Sequence, residues 1–141
     1  MAGGTGNDTF FGGDGADAMD GGADVDTVTY EGSTEGVKVH LTTGRASGGQ
    51  AEGDTLISIE NVTGSQYRDI LAGSGDDNTI NGGRSDDTIS AGGGDDVVIG
   101  GLGDDFLTGG AGSDTFVFVS APYGNQDGVD EISDSKSAST C

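Results

Sequence analysis

The sequence predicts an all-β solenoid, in which short strands stack coil upon coil around a narrow interior. Three observations carry that expectation. Glycine and acidic residues recur with a fixed period, one apolar residue recurs with the same period, and the chain is too poor in large apolar residues for a thick packed core. Of 141 residues, 30 are glycine and only 27 are Leu, Ile, Val or Phe. Asp and Glu total 25 against 5 Lys and Arg, a formal charge of -20. Such a composition is typical of chains that stay disordered, so a force other than apolar burial must order this one.

The period is nine. Units begin at Gly3, Gly12, Gly21, Gly64, Gly73, Gly82, Ala91, Gly100 and Gly109. In each, the sixth position is Asp8, Asp17, Asp26, Asp69, Asn78, Asp87, Asp96, Asp105 or Asp114, and the eighth is Phe10, Met19, Val28, Leu71, Ile80, Ile89, Val98, Leu107 or Phe116. If the last three positions form a short strand, alternation sends the eighth side chain inward and the seventh and ninth outward. Two units then make one coil, and units two apart stack at strand spacing. The first six positions must turn tightly, which glycine permits through positive φ and close backbone approach. Such a turn aims several carbonyls inward, and carbonyls with a carboxylate suit a hard cation such as Ca2+, which takes 6 to 8 oxygens. Mg2+ fits less well, because it demands near-octahedral geometry and keeps its waters.

The units resemble the RTX nonapeptide G-G-x-G-x-D-x-U-x, a calcium-binding repeat that builds a parallel β-helix. The resemblance covers residues 3 to 29 and 64 to 117, and it implies a right-handed parallel β-roll. It also implies that each calcium lies between one turn and the turn stacked a coil later, held by sixth-position side chains and backbone carbonyls from both. Carried onto this chain, the implied side-chain ligands are Asp8, Asp26, Asp69, Asn78, Asp87, Asp96, Asp105 and Asp114. The implied carbonyl donors are Gly82, Arg84, Gly92, Gly94, Gly100, Leu102, Gly103, Gly109, Ala111 and Gly112, and the best-matched pairs are Asp87 with Asp105 and Asp96 with Asp114. Departures are Asp24, Tyr67, Asp76 and Ser85 at the fourth glycine and Asn78 at the ligand position, and these units are expected to bind more weakly. The fifth-position acids Asp77, Asp86, Asp95 and Asp104 read as solvated side chains that deepen the local negative field.

Four segments result: N-terminal repeats at 3–29, non-repeat β coils at 30–63, C-terminal repeats at 64–117, and a cap and tail at 118–141. Residues 37–41 alternate and 54–62 place Leu56 on a strand, so the middle segment reads as a wider, irregular coil that continues the solenoid; the alternative is an inserted hairpin. Residues 116–135 carry a last apolar strand and a Gly-x-Asp-x-Ile remnant, whereas the final residues are short and polar, as expected of a truncated or engineered terminus.

Several function classes fall away. The charge repels nucleic-acid phosphates and anionic lipid. No apolar run approaches the roughly 18 residues that would span a bilayer, the first residues lack signal-peptide character, and the chain is expected to be soluble. Cys141 is the only cysteine and His40 the only histidine, so internal disulfides, multi-cysteine metal sites, zinc-binding His-Glu-x-x-His motifs and two-His metal centres are ruled out. No nucleophile elbow accompanies His40, and Asp77 to Thr88 fails as an EF-hand because Thr88 stands where Glu is needed. Asn61 opens a glycosylation triplet of the kind that arises often by chance. The sequence therefore reads as a non-enzymatic module that folds on binding several Ca2+ outside the cell. The resemblance implies that it belongs to a larger secreted protein, exported by a bacterial type I system. Its alternatives are an accessory module of a secreted protease, lipase or polysaccharide-modifying enzyme, or a surface adhesion element using outward Thr79, Thr88, Thr108 and Thr115.

Overall fold

A computed structural model describes residues 1–119 and 129–133. Fifteen strands and one 3-10 turn make up its regular structure, and the described residues contain no α-helix. In chain order the strands are β1 (Ala2–Thr5), β2 (Thr9–Phe11), β3 (Ala18–Ala23), β4 (Thr27–Thr29), β5 (Lys38–His40), β6 (Arg45–Ser47), β7 (Thr55–Ile57) and β8 (Asn61–Thr63). They continue with β9 (Ile70–Ala72), β10 (Thr79–Arg84), β11 (Thr88–Gly93), β12 (Val97–Leu102), β13 (Phe106–Ala111), β14 (Thr115–Val117) and β15 (Glu131–Ile132).

The chain alternates between two sheets. One runs β1-β3-β7-β6-β5-β9-β11-β13-β15, the other β14-β12-β10-β8-β4-β2. Within the repeats, pairing is parallel and the register step is two units: Thr9 opposes Thr27, Ile80 opposes Val98, and Ile89 opposes Leu107. The strand-turn-strand-turn coil read from the period is therefore the architecture found, an all-β parallel roll. Strands β10 to β13 run longer than the three residues expected, because pairing continues into the next unit, as where Gly83 opposes Gly101 and Gly92 opposes Gly110.

All nine eighth-position side chains are buried, and with Leu56 and Val62 they line the interior between the sheets. The outward threonines form no unbroken array, since Thr88 sits between Ile70 and Phe106 in its row.

The middle segment contributes strands to both sheets. Strand β8 stacks between β4 and β10, so one sheet runs through. In the other sheet the chain skips two positions, lays β5 beside β9, returns antiparallel as β6, and turns again into β7 beside β3. Two extra strands in one sheet leave more interior to fill there than an aliphatic column can. Tyr30, the largest fully buried side chain, helps fill it, with Val37, Val39, Ala46, Ala51 and Ile59 also buried. Its hydroxyl donates to Asp54 Oδ2 at 2.9 Å, and burial together with the Asp54 charge pushes the phenol pKa up. In constant calcium, Tyr30→Phe should strand that carboxylate oxygen and cost about 1 to 3 kcal/mol, read as a lower urea midpoint. An unchanged midpoint would refute a structural role for the bond.

Candidate metal centre

In five units, those of Asp26, Asp87, Asp96, Asp105 and Asp114, the turn delivers its sixth-position carboxylate to the same place. Oδ1 accepts the backbone N–H of the sixth residue one coil earlier: Asp8 N–H donates to Asp26 at 2.7 Å, Asp69 to Asp87 at 2.8 Å, and Asp87 to Asp105 at 2.9 Å. On the opposite edge Asn78 N–H donates to Asp96 at 2.8 Å and Asp96 to Asp114 at 3.1 Å. The column thus cross-links coils before any ion is considered.

The second oxygen is different. Oδ2 of Asp8, Asp26, Asp87, Asp96, Asp105 and Asp114 is buried and has no hydrogen-bond partner. A buried ionised oxygen without a partner is costly, so such groups are neutralised by a proton or a cation. Burial, the first cause in each case, raises the Asp87 pKa to about 8 and the Asp96 pKa to about 6, with neighbouring carboxylates adding to both. Asp69 and Asp105 are also raised, again chiefly by burial.

Backbone geometry selects the same six turns. Their second residues, Gly4, Gly22, Gly83, Gly92, Gly101 and Gly110, all have φ between 98° and 113°. There a Cβ would be strained. Close approach matters as well: a Cβ on Gly82 would collide with Oδ2 of Asp87 and with the Gly100 carbonyl oxygen. The same juxtaposition places Oδ2 of Asp8 near the Gly21 carbonyl, and Oδ2 of Asp26 near that of Ser58.

Among the described residues, no three His, Cys, Asp or Glu side chains gather into one group. A cation here would lean on carbonyls, a donor set suited to a hard ion and unsuited to zinc. The residues present therefore fit calcium at six carboxylates. Of the other expected donors, Gly92 and Gly94 set their carbonyls close to Gly110 and Gly112, and Gly109 faces Asp114. Arg84 opposes Leu102 in register, Ala111 opposes Gly93, and Gly103 packs against Ser85 with φ at 136°.

Asp69 and Asn78 stand apart. Asp69 Oδ2 accepts the Ser65 N–H at 2.6 Å, and Asn78 Oδ1 accepts the Ser74 N–H at 2.7 Å. Two fourth-position departures behave unlike these. Asp24 and Ser85 adopt left-handed φ values of 77° and 68° in spite of their side chains, and Asp26 and Asp87 in the same units keep their open oxygens. Such residues cost on the order of 1 to 3 kcal/mol and persist where the surroundings hold them. Asp24 accepts the Gly6 N–H at 2.9 Å, and Ser85 donates to the Gln66 carbonyl at 3.1 Å.

The fifth-position acids are more than solvated charges. Asp77 accepts the Asp95 N–H at 2.8 Å, Asp86 that of Asp104 at 3.1 Å, Asp95 that of Ser113 at 2.9 Å, and Asp104 that of Val129 at 2.8 Å. This column reaches forward along the roll while the sixth-position column reaches back. The Asp104 N–H, then the exposed Arg68 ion pair at 2.6 Å, hold the Asp86 carboxyl below its usual range.

Three acids outside the nine-residue register join the inner column. Glu60 accepts the Asp26 N–H at 2.9 Å, Asp54 that of Asp17 at 2.8 Å, and Asp130 that of Asp105 at 3.1 Å. Each begins an acid-x-apolar triplet ending at Val62, Leu56 or Ile132, so the triplet was the signal that a search for nines passes over. Asp130 lies in the Gly-x-Asp-x-Ile remnant of the cap; the rest of the cap at 120–128 and the tail from 134 lie outside the described residues. His40 stands exposed on β5, beside Lys38 and Arg45 in a shallow hollow.

No individual curated protein matches the chain. The profile of the RTX calcium-binding nonapeptide repeat, four copies long, matches residues 1–28, 63–98 and 82–116. Those windows take in the nine units save Thr29 and Val117 and cover more than half of the sequence, and the chain belongs to the RTX calcium-binding nonapeptide-repeat family.

Proposed function

We propose that the chain is a structural module that folds by binding several Ca2+ ions outside the cell, as the calcium-dependent part of a larger exported protein. The observation that carries this reading is the set of six buried carboxylate oxygens with no protein partner. Bound calcium would supply the charge neutralisation that the roll's own donors do not. Asp87 with the Gly100 carbonyl, Asp8 with that of Gly21, and Asp26 with that of Ser58 would hold ions between stacked turns, while Asp96, Asp105 and Asp114 would serve in the remaining turns.

The extracellular setting rests on affinity. Extracellular calcium modules have Kd near 10⁻⁴ to 10⁻³ M, so submicromolar cytosolic calcium would leave such sites empty and millimolar calcium would fill them. Export through a type I system is the route that the family's usual company supports. No helix among the described residues is long and apolar enough to cross a membrane.

Calorimetric titration tests the ligand assignment. Asp105→Asn keeps an acceptor for the Asp87 N–H but removes the charge, as Asp96→Asn does for Asn78. Each variant should bind at least one ion fewer than the wild type, or bind one at least tenfold more weakly. Unchanged stoichiometry and affinity would overturn the assignment.

A further inference from the structure

In three of the nine units the second residue is not left-handed and the sixth side chain has no buried open oxygen; two of these, beginning at Gly64 and Gly73, share a substitution. Both carry serine where the open turns carry glycine: Ser65 and Ser74. These two turns come first on their respective edges of the C-terminal block, one leading into β9 and the other into β10.

We infer that Ser65 and Ser74 close these two turns to calcium by donating their own N–H groups to the sixth-position side chain, so that the C-terminal array begins one coil later. The inference rests on the calcium reading above. In an open turn the second residue is left-handed and its N–H does not reach the carboxylate. A serine Cβ opposes that conformation, and the Ser65 N–H instead meets Asp69 Oδ2 at 2.6 Å. The hydroxyl completes the closure. Ser65 Oγ donates to Asp69 Oδ1 at 2.8 Å and accepts the Tyr67 N–H at 3.0 Å. Asp69 Oδ1 also accepts the Val37 N–H at 2.7 Å, so both of its oxygens are satisfied by the protein.

The second closed turn repeats the arrangement with an amide. Asn78 Oδ1 accepts the Ser74 N–H at 2.7 Å, while its Nδ2 donates to the Glu60 carbonyl at 2.7 Å and to Ser74 Oγ at 3.2 Å. A cation entering either turn would displace a short N–H bond and then face that positive N–H. A protein donor therefore stands where the other turns would need an ion. The residue that decides occupancy is the second of the unit, and the sixth-position Asn78 follows from it, since a turn closed by donors does not need a full negative charge. The two closed turns give the C-terminal block a start that holds together without metal, onto which the ion-dependent coils stack.

Calcium stoichiometry of the full chain, by titration calorimetry, distinguishes this from the simpler view that Asn78 merely lacks charge. Asn78→Asp alone should bind the same number of ions as the wild type. Ser65→Gly with Tyr67→Gly restores the open-turn pattern around Asp69 and should bind one more. Ser74→Gly with Asp76→Gly and Asn78→Asp should likewise add one. An extra ion in Asn78→Asp alone would overturn the proposal, as would well-folded glycine variants that gain none. If those variants fail to fold, the Asn78→Asp result still decides. A wild type that binds no calcium would instead defeat the function proposed above and leave the hydrogen-bonded serine turns as observed.

Discussion

Moved from chelator into millimolar calcium, the chain will pass from an expanded, largely unstructured state to a β-rich roll. At ten times Kd, each ion adds about 1.4 kcal/mol, so six, one for each open carboxylate, would add about 8 kcal/mol. That is comparable to the whole net stability of an ordinary domain, about 5 to 15 kcal/mol. Without the ions, 20 excess negative charges oppose compaction and the one apolar residue per unit offers little against it. Circular dichroism and hydrodynamic radius across a calcium titration will read the change. A β-sheet spectrum and compact radius that persist unchanged in chelator would defeat the proposed switch. The magnesium titration should give a smaller response, because magnesium demands tighter octahedral geometry and gives up its waters reluctantly.

Acid will partly replace calcium. In the metal-free fold Asp87 titrates near 8 and Asp96 near 6, and Asp69 and Asp105 are raised, all mainly through burial. An unfolded aspartate titrates near 3.9. The native state therefore binds protons more tightly than the unfolded one, and the linked stabilisation is fully present below about pH 4. It declines as pH rises through the folded values and is gone above about pH 8. In chelator, the β-sheet signal should thus be larger at pH 5 than at pH 8. With calcium present the sign reverses for binding, since protons compete for the same oxygens and apparent affinity should fall on acidification. Loss of structure when the chelated protein is taken from pH 8 to pH 5 would contradict the burial assigned to Asp87 and Asp96.

Much of the site was legible because its chemistry is periodic. A side chain that must meet the same cavity in every coil has to recur at the same phase, so Asp87 and Asp105 stand out by position, and the resemblance to the nonapeptide repeat supplied their pairing. What escaped was local conformation. Ser65 is an unremarkable substitution in a string of small polar residues, yet it decides where the N–H beside Asp69 points. The fifth-position acids were legible as charges but not as acceptors, because their backbone donors lie 18 or 25 residues away. Glu60 and Asp54 escaped for the opposite reason. Their acid-x-apolar triplets are local and visible, but the insertion around them destroys the period that gave the others meaning.

By itself the sequence determined the coil length, the buried column, the inward turns and the oxygen-rich chemistry, because each is fixed by short-range alternation repeated at a constant interval. Tertiary structure alone decided the path of residues 30–63, where β5, β6 and β7 form an antiparallel excursion and Tyr30 fills the interior beneath. It also decided which carboxylates remain open, since that depends on whether a neighbouring N–H reaches the second oxygen. Residue type sets which φ values are cheap, but only the stacked coils fix where each donor finally stands.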